Sequence, residues 1–230
     1  MPATETDAAS PRKARRKRDG DGSASRQRVL DAAIACILSR GLYRASSNAI
    51  AEQAGLSWGV IQYYFGSREA LMLAVLEEGA RRLTDSVRDA AITGTTVAER
   101  VGSYSAILER YYGSPDYLAF TQVMLGLSHD PRTSDTTMAT LRRISEDAMP
   151  PLRKLQDDVL AGVSPRRPEV RTLLFHALRG LALSHVMLGA VPSNDMTGAS
   201  REFPEQRGLL AEALALLIER DSAPEGPAGQ

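Results

Sequence analysis

The chain has 230 residues, of which 43% are apolar and 24% charged, the composition of a folded globular protein rather than a disordered or fibrous one. Lys plus Arg and Asp plus Glu are equal at 28 each, but residues 1–70 carry 11 basic and 7 acidic side chains and the remainder 17 and 21. A basic first third on a mildly acidic body points to an anionic partner at one end. The single cysteine, Cys36, excludes an intrachain disulfide and fits a reducing compartment. The N-terminus is polar and basic, without the apolar core of a signal peptide. The longest apolar run, near Leu181 to Val191, is interrupted by His185 and too short to span a bilayer. A cytoplasmic protein with no membrane partner is expected.

Residues 1–24 are poor in apolar side chains and contain "PRKARRKR", Pro11 to Arg18, with six cations. A disordered basic arm is expected there, and a second disordered tail over 222–230. Between them nearly everything has helical period. Val29, Leu30, Ala33, Ile34, Ile37 and Leu38 form one face, and Gly41 ends that helix. Ser47 is expected to cap a short helix through Ala54. Gly55-Leu56-Ser57 makes a tight connection, with Ser57 capping a helix over Trp58 to Phe65. Gly66-Ser67 breaks it, and a long helix follows from Arg68 to about Ala91. Thr96 and Glu99 have capping-box spacing for a helix to about Tyr112. Ser114-Pro115 opens another to about Ser128. Ser134 or Asp135 opens a further one, which Pro150-Pro151 should kink on the way to Ala161. Ser164-Pro165 begins a long apolar helix to Ala190, a loop follows, and Pro204 to Arg220 is the last helix. No segment alternates as a strand. The expected class is all-α, with about nine helices.

The stretch from Ala51 to Leu71 carries the chemistry. At about 100° per residue, Ser57, Val60, Ile61 and Tyr64 gather on one side of its second helix. Trp58, Gly59, Gln62 and Tyr63 fall on the other. Gln can bond both polar atoms of an adenine edge, aromatic rings can pack on thymine methyls, and a phenol can reach a phosphate. The helix has no Lys or Arg. Phosphate contacts must come from Arg44, Ser47, Arg68 and the basic arm.

The segment "SSNAIAEQAGLSWGVIQYYFGSREALMLAVLE", Ser46 to Glu77, resembles the DNA-binding segment of the TetR family of bacterial transcriptional regulators. The matching elements are Ile50-Ala51, Ala54-Gly55-Leu56-Ser57, Gly59, Ile61, Tyr64-Phe65 and Arg68-Glu69-Ala70-Leu71, with Gly41-Leu42-Tyr43 before them. The resemblance covers about residues 25–80. It implies a homodimer with a three-helix helix-turn-helix DNA-binding head and a larger helical ligand-binding and dimerisation body. Such a protein represses transcription at a palindromic operator and is released by a small molecule. By position, Ser47, Ser57, Trp58, Gly59, Val60, Gln62, Tyr63, Tyr64 and Arg68 match the family's DNA contacts. Position 58 is often small, polar or cationic in the family, and position 62 is often Tyr. Trp58 and Gln62 therefore imply a different operator. The expected division is 1–24 arm, 25–70 head, 71–221 body and 222–230 tail.

In the body, the last two helices are apolar over most of their circumference and need burial on more than one side. Leu173, Leu174, Ala177, Leu181 and Leu188 on one, with Leu209, Leu210, Ala213, Leu216 and Leu217 on the other, are the expected dimer interface. Tyr104, Leu108, Tyr111, Phe120, Met124, Leu127, Phe175 and Met187 recur at helical spacing. They read as ordinary core or as the lining of a lipophilic effector pocket. His176 and His185 face opposite sides of one helix and cannot form a metal pair. No nucleophile elbow, phosphate-binding glycine loop or metal cluster occurs, so no cofactor, metal or catalytic residue is expected. The rival readings are a transcriptional activator of the same fold, a ligand-binding protein with weakened DNA specificity, and a helical enzyme.

Overall fold

The computed structural model describes the backbone of residues 11–190 and 203–222, and the side chains of 22–186 and 204–222. The described residues form ten α-helices: α1 (Pro11–Arg40), α2 (Ser47–Ala54), α3 (Trp58–Phe65), α4 (Arg68–Arg88), α5 (Val97–Tyr112), α6 (Pro115–Ser128), α7 (Asp135–Asp147), α8 (Met149–Val159), α9 (Pro168–Ala190) and α10 (Phe203–Ser222). The expected loop over 191–202, residues 223–230 of the expected 222–230 tail and the first ten residues lie outside the described residues; Ser222 ends α10.

Most helix ends follow from local chemistry. Gly41 (φ 77°) and Gly55 (φ 63°) adopt the left-handed conformation that closes α1 and α2. At α5 the capping box is complete: the Glu99 N–H donates to the Thr96 hydroxyl at 3.1 Å, and the Glu99 carboxylate accepts from the Thr96 N–H at 3.0 Å. Ser114 caps α6 ahead of Pro115, and Ser134 rather than Asp135 caps α7.

Several boundaries differ from expectation, among them the end of α8 at Val159 rather than Ala161 and that of α10 at Ser222 rather than Arg220. α1 begins at Pro11, so residues 11–24 have helical backbone where a disordered arm was expected. Ala, Lys and Arg are strong helix formers, and Pro is favoured in a first turn. The cap of α2 is Ser46, whose extended backbone (φ −73°, ψ 158°) lets its hydroxyl accept from the Ala49 N–H; Ser47 is the first helical residue. α4 ends at Arg88, three residues early. Pro150 and Pro151 sit in the first turn of α8, where missing N–H groups cost nothing, so they separate two helices instead of kinking one. α9 starts at Pro168 rather than Pro165. The buried Asp221 carboxylate accepts from the Arg167 N–H at 2.9 Å and Nε at 2.7 Å, holding the preceding segment out of helix.

Two apolar cores divide the molecule. The first joins Val29, Leu30, Ile34 and Ile37 of α1 to Ile50, Ile61 and Leu71–Leu76, but also to Val123 and Leu127 of α6 and Leu141 and Ile144 of α7. The expected head boundary at residue 70 therefore cuts through a continuous core. Three short helices bury too little surface alone. The second core unites α5 with α8, α9 and α10 around Tyr104, Leu108, Leu155, Leu174 and Ile218. α4 contributes to both: Leu71 to Leu76 lie in the first, Leu83 and Val87 in the second.

Between the cores lies a polar centre. Glu78, 9% exposed, accepts hydrogen bonds from Arg81 and Arg82. The Arg81 hydrogen bond outweighs burial and, with Arg82, holds the Glu78 carboxyl at about 2 instead of 4.5. A depressed carboxyl stabilises the fold above its unfolded value, and this contribution fades as pH falls from 4.5 through 2. Glu78→Gln should flatten the melting temperature against pH across that window while lowering it near neutrality.

Candidate nucleic-acid interface

α2 and α3 are joined by Gly55-Leu56-Ser57, and α3 leans on the first core through Ile61, 4% exposed. Val60, Tyr64 and Phe65 are half-buried beside it. Arg26 of α1 stacks over the Phe65 ring at 5.4 Å. The opposite face is open. Trp58 is 51% and Tyr63 83% exposed, and Gly59 and Gln62 are exposed between them. Large planar side chains on a short helix are ordinarily its buried face. Here they are its solvent face.

The outward groups are partly oriented. Gln62 Nε2 donates to the Gly66 carbonyl at 2.6 Å. That bond identifies the nitrogen end of the amide and uses one of its two hydrogens. Tyr63 packs edge-on against Tyr64, ring centroids 5.1 Å apart. Ser57 occupies the cap position of α3 but its hydroxyl makes no capping bond. Arg44 and Arg68 are exposed at the flanks, and Ser47 is half-buried at the start of α2. Arg68 Nη2 donates to the Leu42 carbonyl at 2.9 Å, tying the start of α4 to the α1–α2 loop. One exposed group escaped the sequence reading: Tyr43, 94% exposed beside Arg44. The sequence carried no signal for it, since Leu42 and Ala45 of the same loop turn inward.

The expected effector residues are split. Tyr104, Leu108, Tyr111 and Phe175 belong to the second core, Met124 and Leu127 to the first, and Phe120 touches both. The side chain of Met187 lies outside the described residues. Clefts of about 370 Å³ between α4 and α7, 600 Å³ between α9 and α10, and 640 Å³ between the α1–α2 loop and α6 are lined by other residues. The Tyr104 hydroxyl is buried with no hydrogen-bond partner among the described residues, and burial raises its pKa well above the usual phenol range.

The expected dimer residues also divide. Leu173 (49%), Leu209 (68%) and Leu216 (67%) are exposed on α9 and α10, as is Ala213, while Ala177, Leu181, Leu210 and Leu217 are half-buried. Leu174 is fully buried in its own subunit's core with Leu178. It lies one position, or about 100°, around the helix from Leu173. The side chain of Leu188 lies outside the described residues.

An all-α chain with a helix-turn-helix, an aromatic outward face on the second helix of that motif and a larger helical body has the architecture of a helix-turn-helix transcriptional regulator. Residues 29–75, which hold the helix-turn-helix, match the family described as bacterial regulatory proteins, tetR family. It is 31% identical over 81 residues to the HTH-type transcriptional regulator PksA of Bacillus subtilis, covering 35% of this chain and 40% of PksA. It is 35% identical over 65 residues to the transcriptional repressor AcnR of Corynebacterium efficiens, covering 28% of this chain and 35% of AcnR. The chain thus spans about two fifths or less of the length of these relatives. The fold resembles a transcriptional regulator from Rhodococcus sp. Rha1 (TM-score 0.59, 20% identity, 86% of this chain and 99% of that one). It also resembles FadR of Bacillus subtilis, solved in complex with stearoyl-CoA (TM-score 0.53, 16% identity, 84% and 97%).

Proposed function

We propose that this protein is a cytoplasmic transcriptional repressor that binds a palindromic operator as a homodimer and releases it when a small molecule binds the body. The observation that carries the reading is the inverted polarity of α3: Ile61 is buried while Trp58, Gln62 and Tyr63 face outward. Gln62 supplies base-edge hydrogen bonds and the aromatic rings supply contacts to methyl groups. Arg44, Ser47, Ser57, Tyr64 and Arg68 supply phosphate contacts, and Gly59 and Val60 permit close approach. Residues 25–70 act as the reading head and 71–221 as the ligand-binding and dimerisation body.

The apolar patch Leu173, Leu209, Leu216 supports a two-fold interface, since it leaves large side chains in water on two adjacent helices. The 600 Å³ groove beside it, lined by Val170, Leu173 and Leu217, gives a partner's side chains somewhere to insert. For the effector, the support is α4, shared by both cores, together with the orphaned Tyr104 hydroxyl. An unsatisfied buried hydroxyl costs about 1–3 kcal/mol, and a lipophilic ligand bearing an acceptor would recover it among Tyr104, Leu108, Tyr111, Phe120 and Phe175, the members of the expected set that share the second core. That FadR was solved with stearoyl-CoA makes acyl compounds the first ligands to try.

Selection of bound duplexes from a random pool by the purified protein tests the reading. A two-fold symmetric site is expected, with half-sites about 34–36 Å apart; only salt-sensitive, sequence-blind binding would overturn it. On the selected site, Arg68→Ala should weaken binding to all sequences alike and reduce the salt slope by about one, read by titration at several salt concentrations. Acyl compounds should then displace the protein from the site. Tight ligand binding without loss of DNA affinity would refute release, because a ligand shifts only states it binds unequally.

A further inference from the structure

α6 runs along the head and is fastened to it near both ends. At the N-terminal end, Glu78 of α4 sits where α1, α4 and α6 meet. Its carboxylate accepts from Gln27 Nε2 of α1 at 3.1 Å and from Arg82 Nε at 2.7 Å. Arg82 then spans the junction. It pairs with Asp31 of α1 and reaches Asp116 of α6 at 3.5 Å. Arg81 completes the charge balance from the same helix, paired with both Glu78 and Asp85. Near the C-terminal end, Leu42 of the α1–α2 loop is seated over Gly126. The Cβ of any other residue there would overlap a Leu42 methyl. The Leu42 carbonyl is held in turn by Arg68.

Asp116 and Gly126 are ten residues apart on one helix, about 15 Å along its axis. Between them Ala119 and Val123 pack in the first core, an apolar contact that has no directional preference of its own. Two contacts at that separation define an angle. On an arm of that length, a tilt of roughly 10–15° moves the far end by about 3.4 Å, one base pair of rise.

We propose that Arg82 and Glu78 at one end of α6, and Leu42 on Gly126 at the other, are positioning residues that fix the head on the body and so set the half-site spacing a dimer accepts. This rests on the dimeric DNA-binding reading above. None of these residues needs to touch a base. Arg82 is 28% exposed and engaged on three helices, and Leu42 packs against α6 at Gly126.

The test uses the full chain and its selected operator. A panel of duplexes keeps both half-sites constant and changes the spacer by one or two base pairs in each direction. The wild-type protein should prefer one spacing over its neighbours by tenfold or more. Arg82→Met, which keeps the aliphatic stem but removes the ionic bridge, should cut that preference to threefold or less. Leu42→Ala should do the same from the other end, and it keeps the test decisive where Arg82→Met does not fold. Base preferences within each half-site should be unchanged in both. Folded variants that retain the wild-type spacing preference, or that lose affinity by the same factor at every spacing, would overturn the proposal. Failure of the underlying reading looks different: the wild-type protein would then select no two-fold site.

Discussion

Leu209→Glu combined with Leu216→Glu is expected to leave the protein monomeric, by breaking the proposed two-fold interface, and to lower operator affinity by about a hundredfold or more. Burying one such leucine is worth about 1.5–3 kcal/mol, and a two-fold interface counts each residue twice. The substitutions also place four carboxylates in what would be an apolar seam, where unpaired charge is not tolerated. Loss of the dimer removes the linkage between two half-site contacts, which alone is worth about 10²–10⁴ in affinity. Within one subunit the change should be mild, because both leucines are already about two-thirds exposed (68% and 67%) and surface substitutions away from caps and networks stay within about 0.5 kcal/mol. Sedimentation and circular dichroism separate the cases. A monomer with full helicity is the expected result, and a folded dimer would show that this face is not the interface. Leu174→Glu is the contrasting variant. It would place a charge in the subunit's own second core and should abolish folding outright.

That contrast marks what was legible in the sequence. Periodicity found the helices because each buries a stripe, and capping chemistry placed ends such as those at Thr96, Ser114 and Gly55, though between the adjacent Ser46 and Ser47 it chose the wrong residue. It failed where a tertiary contact decides. Asp221 delays the start of α9 from 55 residues away. Amphipathicity also could not divide α9 and α10 between inner and outer faces, since both faces are apolar. Leu173 and Leu174 are adjacent and alike in type, and only the packing of α5 against α9 and α10 assigns one to solvent and the other to the core. The face of α3 was readable for the opposite reason. Its side chains differ sharply in chemistry, and a helix with Ile61 inward has no choice but to turn Gln62 and Tyr63 outward. Sequence pattern also did not show that the apolar core of the head continues past residue 70 through Val123, Leu127, Leu141 and Ile144, because those residues come from helices distant in the chain.

Gln62→Ala is expected to weaken specific binding by about 1–3 kcal/mol for each half-site, roughly 5- to 150-fold, and to do so at one base position only. The bond from Nε2 to the Gly66 carbonyl bears on which base. An adenine edge asks for one donor toward N7 and one acceptor from N6. Gln62 has two Nε2 hydrogens and one oxygen; with one hydrogen held by Gly66, the other and Oε1 remain as that pair. Holding the amide in place before DNA arrives reduces the side-chain entropy lost on binding. The variant should fold normally, because the site is exposed and Ala favours helix. Its affinity should be measured on operators changed at each position in turn. Replacing the contacted adenine by 7-deazaadenine should cost the wild-type protein affinity and leave Gln62→Ala indifferent, since only the wild type has a donor for N7. Equal loss by both proteins would mean that N7 matters for another contact, and a loss spread evenly over all operator positions would make Gln62 a group that positions the helix without reading a base.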